Sequence, residues 1–101
     1  MYVVLTSKVN EYDATPERGL TVLKTFDYYF YDRCTTAFSI AHVDADGARV
    51  RITETGEGGA VNSIPVKFFE SFESLQEAEA ELHQLTRSPV MRIRLEERAA
   101  A

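Results

Sequence analysis

The obvious candidates for a thiol nucleophile and its base are few: one cysteine and two histidines in 101 residues. A Cys34 thiolate with His42 as its base would make a nucleophile. If both lie on one strand, however, their eight-residue separation puts them about 26 Å apart at ~3.3 Å per residue, and they cannot meet. Arg33 beside Cys34 would favour the thiolate. The thiol is nonetheless expected in the connection after Asp32-Arg33, as an ordinary residue. His83 follows Glu79 by one helical turn, and the two would supply a pair of metal ligands. A bound metal needs one or two more, and no Cys-x-x-Cys, second His-x-x-x-Glu or Asp cluster offers them. The Gly56-Glu-Gly-Gly59 loop is followed by no Lys-Ser or Lys-Thr, and Glu57 would repel a phosphate. No Ser-His-Asp set or pair of catalytic carboxylates stands out. The expectation is therefore no catalytic residue, no metal and no cofactor, with a scattered site drawn from Tyr28, Tyr29, His42 and Arg51 as the remaining enzymatic possibility.

Two constellations point to binding instead. Glu70, Glu73, Glu77 and Glu81 fall within roughly an 80° sector if a helix runs back to Phe68, and no basic residue interrupts that stretch. Like charges spaced i,i+4 cost a helix a few tenths of a kcal/mol each. The row is suited to docking on a basic partner surface or to imitating a line of phosphates. The second constellation is aromatic: Tyr28, Tyr29 and Tyr31 together with His42. Asp27 and Asp32 bracket the tyrosines, which argues against the aromatic-plus-cationic platform of single-strand binders. Tyrosine suits an interface, where one end of the side chain is buried and the other wet.

Composition narrows the partners. Eleven basic against 16 acidic residues give a net charge of −5, and neither half of the chain is basic, so direct nucleic-acid binding is not expected. A lone cysteine leaves no intramolecular disulfide, and the opening Met1-Tyr-Val-Val-Leu has the look of a strand and not of a leader, so a cytoplasmic location is expected. No apolar run approaches the eighteen or so residues that cross a bilayer, and no membrane partner is expected. The length and 45% apolar content fit a single domain over residues 1–98, with Ala99 to Ala101 a disordered tail or cloning remnant.

The elements that must position these residues follow from periodicity. Tyr2 to Ser7 predicts a strand, and Lys8 to Gly19, with Pro16 and Gly19, a loop. Leu20 to Asp32 predicts a long strand with Val22, Phe26, Tyr28 and Phe30 on one face and Leu23, Tyr29 and Tyr31 on the other. Because both faces are apolar, it should be an interior strand, its second face roofed by a loop or a partner. Thr35 to Val43 and Ala48 to Thr55 predict a hairpin around Asp44-Ala-Asp-Gly47. A three-residue loop with Gly47 left-handed would pair His42 with Val50 and Ile40 with Ile52. Ser74 as N-cap with Glu77 three residues on marks a helix start, and Leu75, Ala78, Leu82 and Leu85 form its apolar stripe. Ser88-Pro89 ends it. Val90 to Leu95 predicts a last, edge strand with Met91, Ile93 and Leu95 inward and Arg92 and Arg94 outward.

The resulting expectation is an α+β fold: an antiparallel sheet of four to five strands on one amphipathic helix, with the helix before the last strand. The expected function is a non-enzymatic protein-interaction module, an adaptor, accessory subunit or small acidic inhibitor. It would bind through the acidic helix face or the aromatic sheet face. The alternative is a dimeric small-molecule binder or simple enzyme, with a pocket between sheet and helix lined by Tyr29, Tyr31 and His42. A purely structural homodimer is the third reading.

Overall fold

The computed structural model describes residues 1–99; Ala100 and Ala101, part of the expected tail, lie outside the described residues. The strands are β1 (Tyr2–Lys8), β2 (Tyr12–Arg18), β3 (Leu20–Phe30), β4 (Arg33–Val43), β5 (Arg49–Glu54), β6 (Val61–Pro65), β7 (Ser71–Phe72) and β8 (Ile93–Glu97). A 3-10 turn covers Val66–Phe68, and the helix α1 spans Leu75–Leu85. All strand pairs are antiparallel, in the order β6-β5-β2-β1-β4-β3-β8, with β7 paired to the start of β1. The α+β class matches expectation. The sheet has eight strands, not four to five, and the helix follows seven of them, not four.

Much of that difference comes from β2. Its sequence, Tyr-Asp-Ala-Thr-Pro-Glu-Arg, has little β-propensity, and Pro16 argues for a loop. Yet β1 and β2 share only the Lys8↔Tyr12 pair before they diverge, so beyond Tyr12 one side of β2 has no ladder to break. Along that side the Ala14 N–H donates to Ser7 Oγ at 2.9 Å, and Pro16, two residues on, has no N–H to leave unpaired. The turn into β2 is supplied by Asn10, whose φ of 65° is a conformation asparagine tolerates better than most residues.

The splay at Ser7 and Ala14 folds the sheet over on itself. Between its wings lies one core: Val3 and Leu5 of β1 and Ala41 of β4 pack with Ala14 of β2 and Val50 of β5. On the opposite face of β1 and β4 lies the second, where Phe26 and Ile40 pack with Ala78 and Leu82 of α1. Alternation along β1 explains the division, since Val3 and Leu5 point one way and Tyr2 and Val4 the other. Leu82 and Ile40 are almost fully buried, and burial of such side chains stabilises by about 1.5–3 kcal/mol each.

The expected pairing of β4 with β5 and the expected place of Cys34 are corrected. β4 and β5 form no hairpin: β4 pairs with β1 and β3, and β5 with β2 and β6. Gly47 does adopt a positive φ of 75°, but the polypeptide crosses there from one wing to the other. The amides flanking the turn are taken by other segments, Val43 N–H by Met1 O at 2.9 Å and Asp44 N–H by Gly19 O at 2.8 Å. The hairpin that forms instead joins β3 to β4 through Tyr31 and Asp32, with φ of 50° and 69°, as a two-residue turn of that handedness requires. Cys34 consequently lies within β4 and not in a connection.

The long strand β3 is interior in the sheet, between β4 and β8, but its faces differ from simple alternation. The register shifts between Val22 and Lys24, which leaves Leu23 as an extra residue. Val22 stands opposite Ala41 of the first core, whereas Lys24 and Phe26 stand opposite Ile40 and Phe38 on the helix side. β8 is an edge strand as expected, but it begins at Ile93, and Met91 is exposed.

Candidate functional site

The helix start is set by local chemistry. Ser74 Oγ accepts from the Glu77 N–H at 3.1 Å, and the Glu77 carboxylate reaches back to the Glu73 N–H at 3.0 Å. This reciprocal pair fixes residue 74 as the N-cap and stops the helix from running back to Phe68. The four acids therefore do not form one helical face. Glu70 lies just before β7, Glu73 lies outside the helix, Glu77 is engaged in the cap, and Glu81 is on the second turn.

Glu70 and Glu81 nevertheless converge. Both line a groove of about 170 Å³ where α1 leaves the sheet. Its apolar walls are Val4 of β1, Phe38 of β4, Phe72 of β7, and Leu82 and Leu85 of α1. Leu85, placed on the core stripe by periodicity, is 68% exposed, because Leu75, Ala78 and Leu82 already fill the contact and Leu85 overhangs the opening. Among the described residues neither Glu70 nor Glu81 has an ion-pair partner, and they are the only charged side chains on the groove.

The aromatic constellation is dispersed. Tyr28 lies on the helix side of β3, edge-on to Phe38 with ring centroids 6.2 Å apart. Tyr29 pairs in register with Arg94 of β8, whose guanidinium stacks over its ring at 4.2 Å. Tyr31 is in the hairpin turn against Phe30 at 4.7 Å. His42 is at the far end of β4, edge-on to Tyr2 at 5.2 Å, with its Nδ1 2.6 Å from Asp44. The expected pocket lined by Tyr29, Tyr31 and His42 therefore does not form, because the hairpin places Tyr31 and His42 at opposite ends of β4. Arg51, the fourth member of the scattered site, is on β5 and pairs with Glu17 at 3.5 Å.

The same distance separates the cysteine from the histidine: Cys34 and His42 share β4 near its two ends, and the half-buried Cys34 Sγ lies 3.9 Å from Thr36 O. Glu79 is taken up by Lys24 of β3 at 2.8 Å, while His83 packs edge-on to Phe26 at 6.3 Å. Among the described residues no group of three or more His, Cys, Asp or Glu side chains is placed to hold a metal ion. No helix among them is long and apolar enough to cross a membrane.

Sequence reasoning missed a second concavity, a cleft of about 350 Å³ at one end of the inter-wing core. Arg18, Arg49 and Lys67 line it, and Asp46 is its only acid. The signal was the β2 segment itself, since Arg18 reaches the cleft only because its stretch is a strand. Beside it, Glu17 is held below the usual carboxylate range, first by a hydrogen bond from Ser63 and then by the charges of Arg51 and Arg49. Comparison with known proteins adds no relative: no family model, no curated protein and no solved structure matches this chain.

Proposed function

We propose that the chain is a cytoplasmic protein-interaction module without chemistry of its own, and that it binds a partner through the groove between α1 and the sheet. The occupant is a protein segment with an apolar anchor and adjoining basic residues. The observation that carries this reading is the pairing of an apolar interior, Phe38, Phe72 and Leu85, with two carboxylates that no cation among the described residues neutralises, Glu70 and Glu81. An apolar anchor would fill the groove and supply most of the affinity, as in other complexes that lay a segment into a hydrophobic furrow. Basic flanks on the partner would meet Glu70 and Glu81 and speed association. Glu73 and Glu77, nearby on the same acidic stretch, extend the negative field toward the helix start.

Capture from the native host with the full chain as bait tests this. Leu85→Glu places a charge in the groove mouth, and the double reversal Glu70→Lys/Glu81→Lys inverts its field. Both alter exposed or half-exposed side chains and leave the cores intact. The expected result is a partner retained by the wild type, lost by both variants, and released by added salt. A partner held equally by all three baits overturns the reading.

A further inference from the structure

We propose that the cleft at the end of the inter-wing core is a second, independent binding site, for a small organic anion that carries one carboxylate or phosphate on an apolar body. Cross-strand geometry is the first argument. Arg18 of β2 and Arg49 of β5 are direct partners in the antiparallel ladder. Like charges directly opposite one another are destabilising, and of this pair only Arg49 is given partners by the chain.

The second argument is the disposition of the neighbouring acids. The register shifts between Pro16 and Arg18, so Glu17 is the extra residue of a bulge. Its carboxylate lies 3.7 Å from Arg49 and 3.5 Å from Arg51, and it also accepts from the Ser63 hydroxyl. Arg49 is fixed in turn by donating to Ser63 Oγ at 2.6 Å and Ser63 O at 3.0 Å. Glu17 is thus committed to the other two arginines. Among the described residues, Arg18 and Lys67 have no ion-pair partner; the Lys67 ammonium rests 5.5 Å from the centre of the exposed Phe68 ring, a contact weaker than a carboxylate would give. A chain of net charge −5 therefore gathers uncompensated cations at one concavity, with only Asp46 against them.

The third argument concerns the ligand's other end. Val43, Ala48, Pro65 and Val66 line the same cleft, and its volume of about 350 Å³ is that of a small-molecule site. An apolar body would rest on these side chains while Arg18 and Lys67 meet the anionic group, the guanidinium offering paired donors that suit carboxylate or phosphate.

The test is an amide NMR titration of the full chain with benzoate, phenyl phosphate, inorganic phosphate and the neutral benzyl alcohol. Saturable shifts at Gly47, Ala48 and Lys67 with benzoate or phenyl phosphate are expected, stronger than with inorganic phosphate and absent with benzyl alcohol. The tighter of the two aromatic anions tells carboxylate from phosphate. The double variant Arg18→Gln/Lys67→Gln, which changes exposed side chains only, should keep its spectrum and weaken binding by about tenfold or more. The proposal is overturned if neither anion shifts these amides at millimolar concentration, if benzyl alcohol binds as well as benzoate, or if the double variant binds like the wild type.

Discussion

Lys24 of β3 donates to the Glu79 carboxylate of α1 at 2.8 Å, a bond across 55 residues that ties the helix to the sheet beside the second core. The hydrogen bond from Lys24 to Glu79 holds the lysine above its ordinary value of 10.5, with desolvation opposing and the charges of Glu79 and Glu97 adding. A raised folded value means that the contribution is complete below 10.5 and disappears as pH climbs through the folded value. Lys24→Met should therefore be less stable than the wild type at neutral pH, and the gap should close in strong alkali. Urea midpoints at both pH values decide it; a gap that stays constant sinks the linkage. Glu79→Gln completes a double-mutant cycle whose coupling should be favourable.

Acid should act at Asp44, just past the end of β4. Thr21 first, and then His42, hydrogen-bond to Asp44 and hold its carboxyl below the ordinary 3.8. A lowered folded value gives stability that is present above 3.8 and is lost as pH falls through the folded value. Asp44→Asn should lower the melting temperature at neutral pH and match the wild type in strong acid. Parallel curves for the two proteins across that range would refute this.

The β3–β4 turn carries at its first position, Tyr31, a residue that its backbone does not favour. Tyr31 and Asp32 sit at φ of 50° and 69°, a conformation that costs most residues with a side chain roughly 1–2 kcal/mol and that Gly and Asn enter more readily. The double substitution Tyr31→Asn/Asp32→Gly installs the pair preferred in such turns and should stabilise the fold by about 0.5–1 kcal/mol in chemical denaturation. The exposed contacts of Asp32 with Arg92 and Arg94, each 3.5 Å long, are too weak to reverse the sign. A less stable variant would mean that the turn is held by something other than its own dihedral preferences.

Leu82 is 1% exposed and Leu85 is 68% exposed, three residues apart on α1. Leu82→Ala should cost about 2–5 kcal/mol through lost burial and the cavity left behind. Leu85→Ala should cost much less and should weaken partner capture instead. Equal destabilisation by the two would remove Leu85 from the groove mouth and return it to the core.

What the sequence reveals and conceals here has a physical pattern. The helix start is legible because Ser74 and Glu77 satisfy backbone groups within a few residues of one another, and strands β1, β3, β4 and β5 are legible from their β-branched and aromatic content. The same capping pair argues against any helix running back to Phe68, and local hydrogen bonding prevails over the charge pattern from Glu70 to Glu81. Strand β2 is concealed because its fitness lies in the splay between Ser7 and Ala14, a tertiary arrangement that lets Pro16 sit in a strand. The Asp44–Gly47 turn reports correctly that the backbone turns, and Gly47 takes the left-handed conformation. Nothing local to it says which strands lie on either side, so a β4–β5 hairpin is the wrong inference from a correct turn. The groove is half legible: Glu70 and Glu81 stand out, but Phe38 and Phe72 reach it only through long-range pairing with β1. The basic cleft follows β2 into concealment.

Strands β1 and β4 are walls common to both cores, with Val3 and Ala41 lining one side and Val4 and Ile40 the other. Neither half can melt while the other stays whole, because loosening this shared partition exposes two apolar faces at once. Its ladder, Tyr2↔His42 through Lys8↔Thr36, backs both cores along its length. Amides along that ladder should be the last to exchange with deuterium, opening only when the entire molecule does.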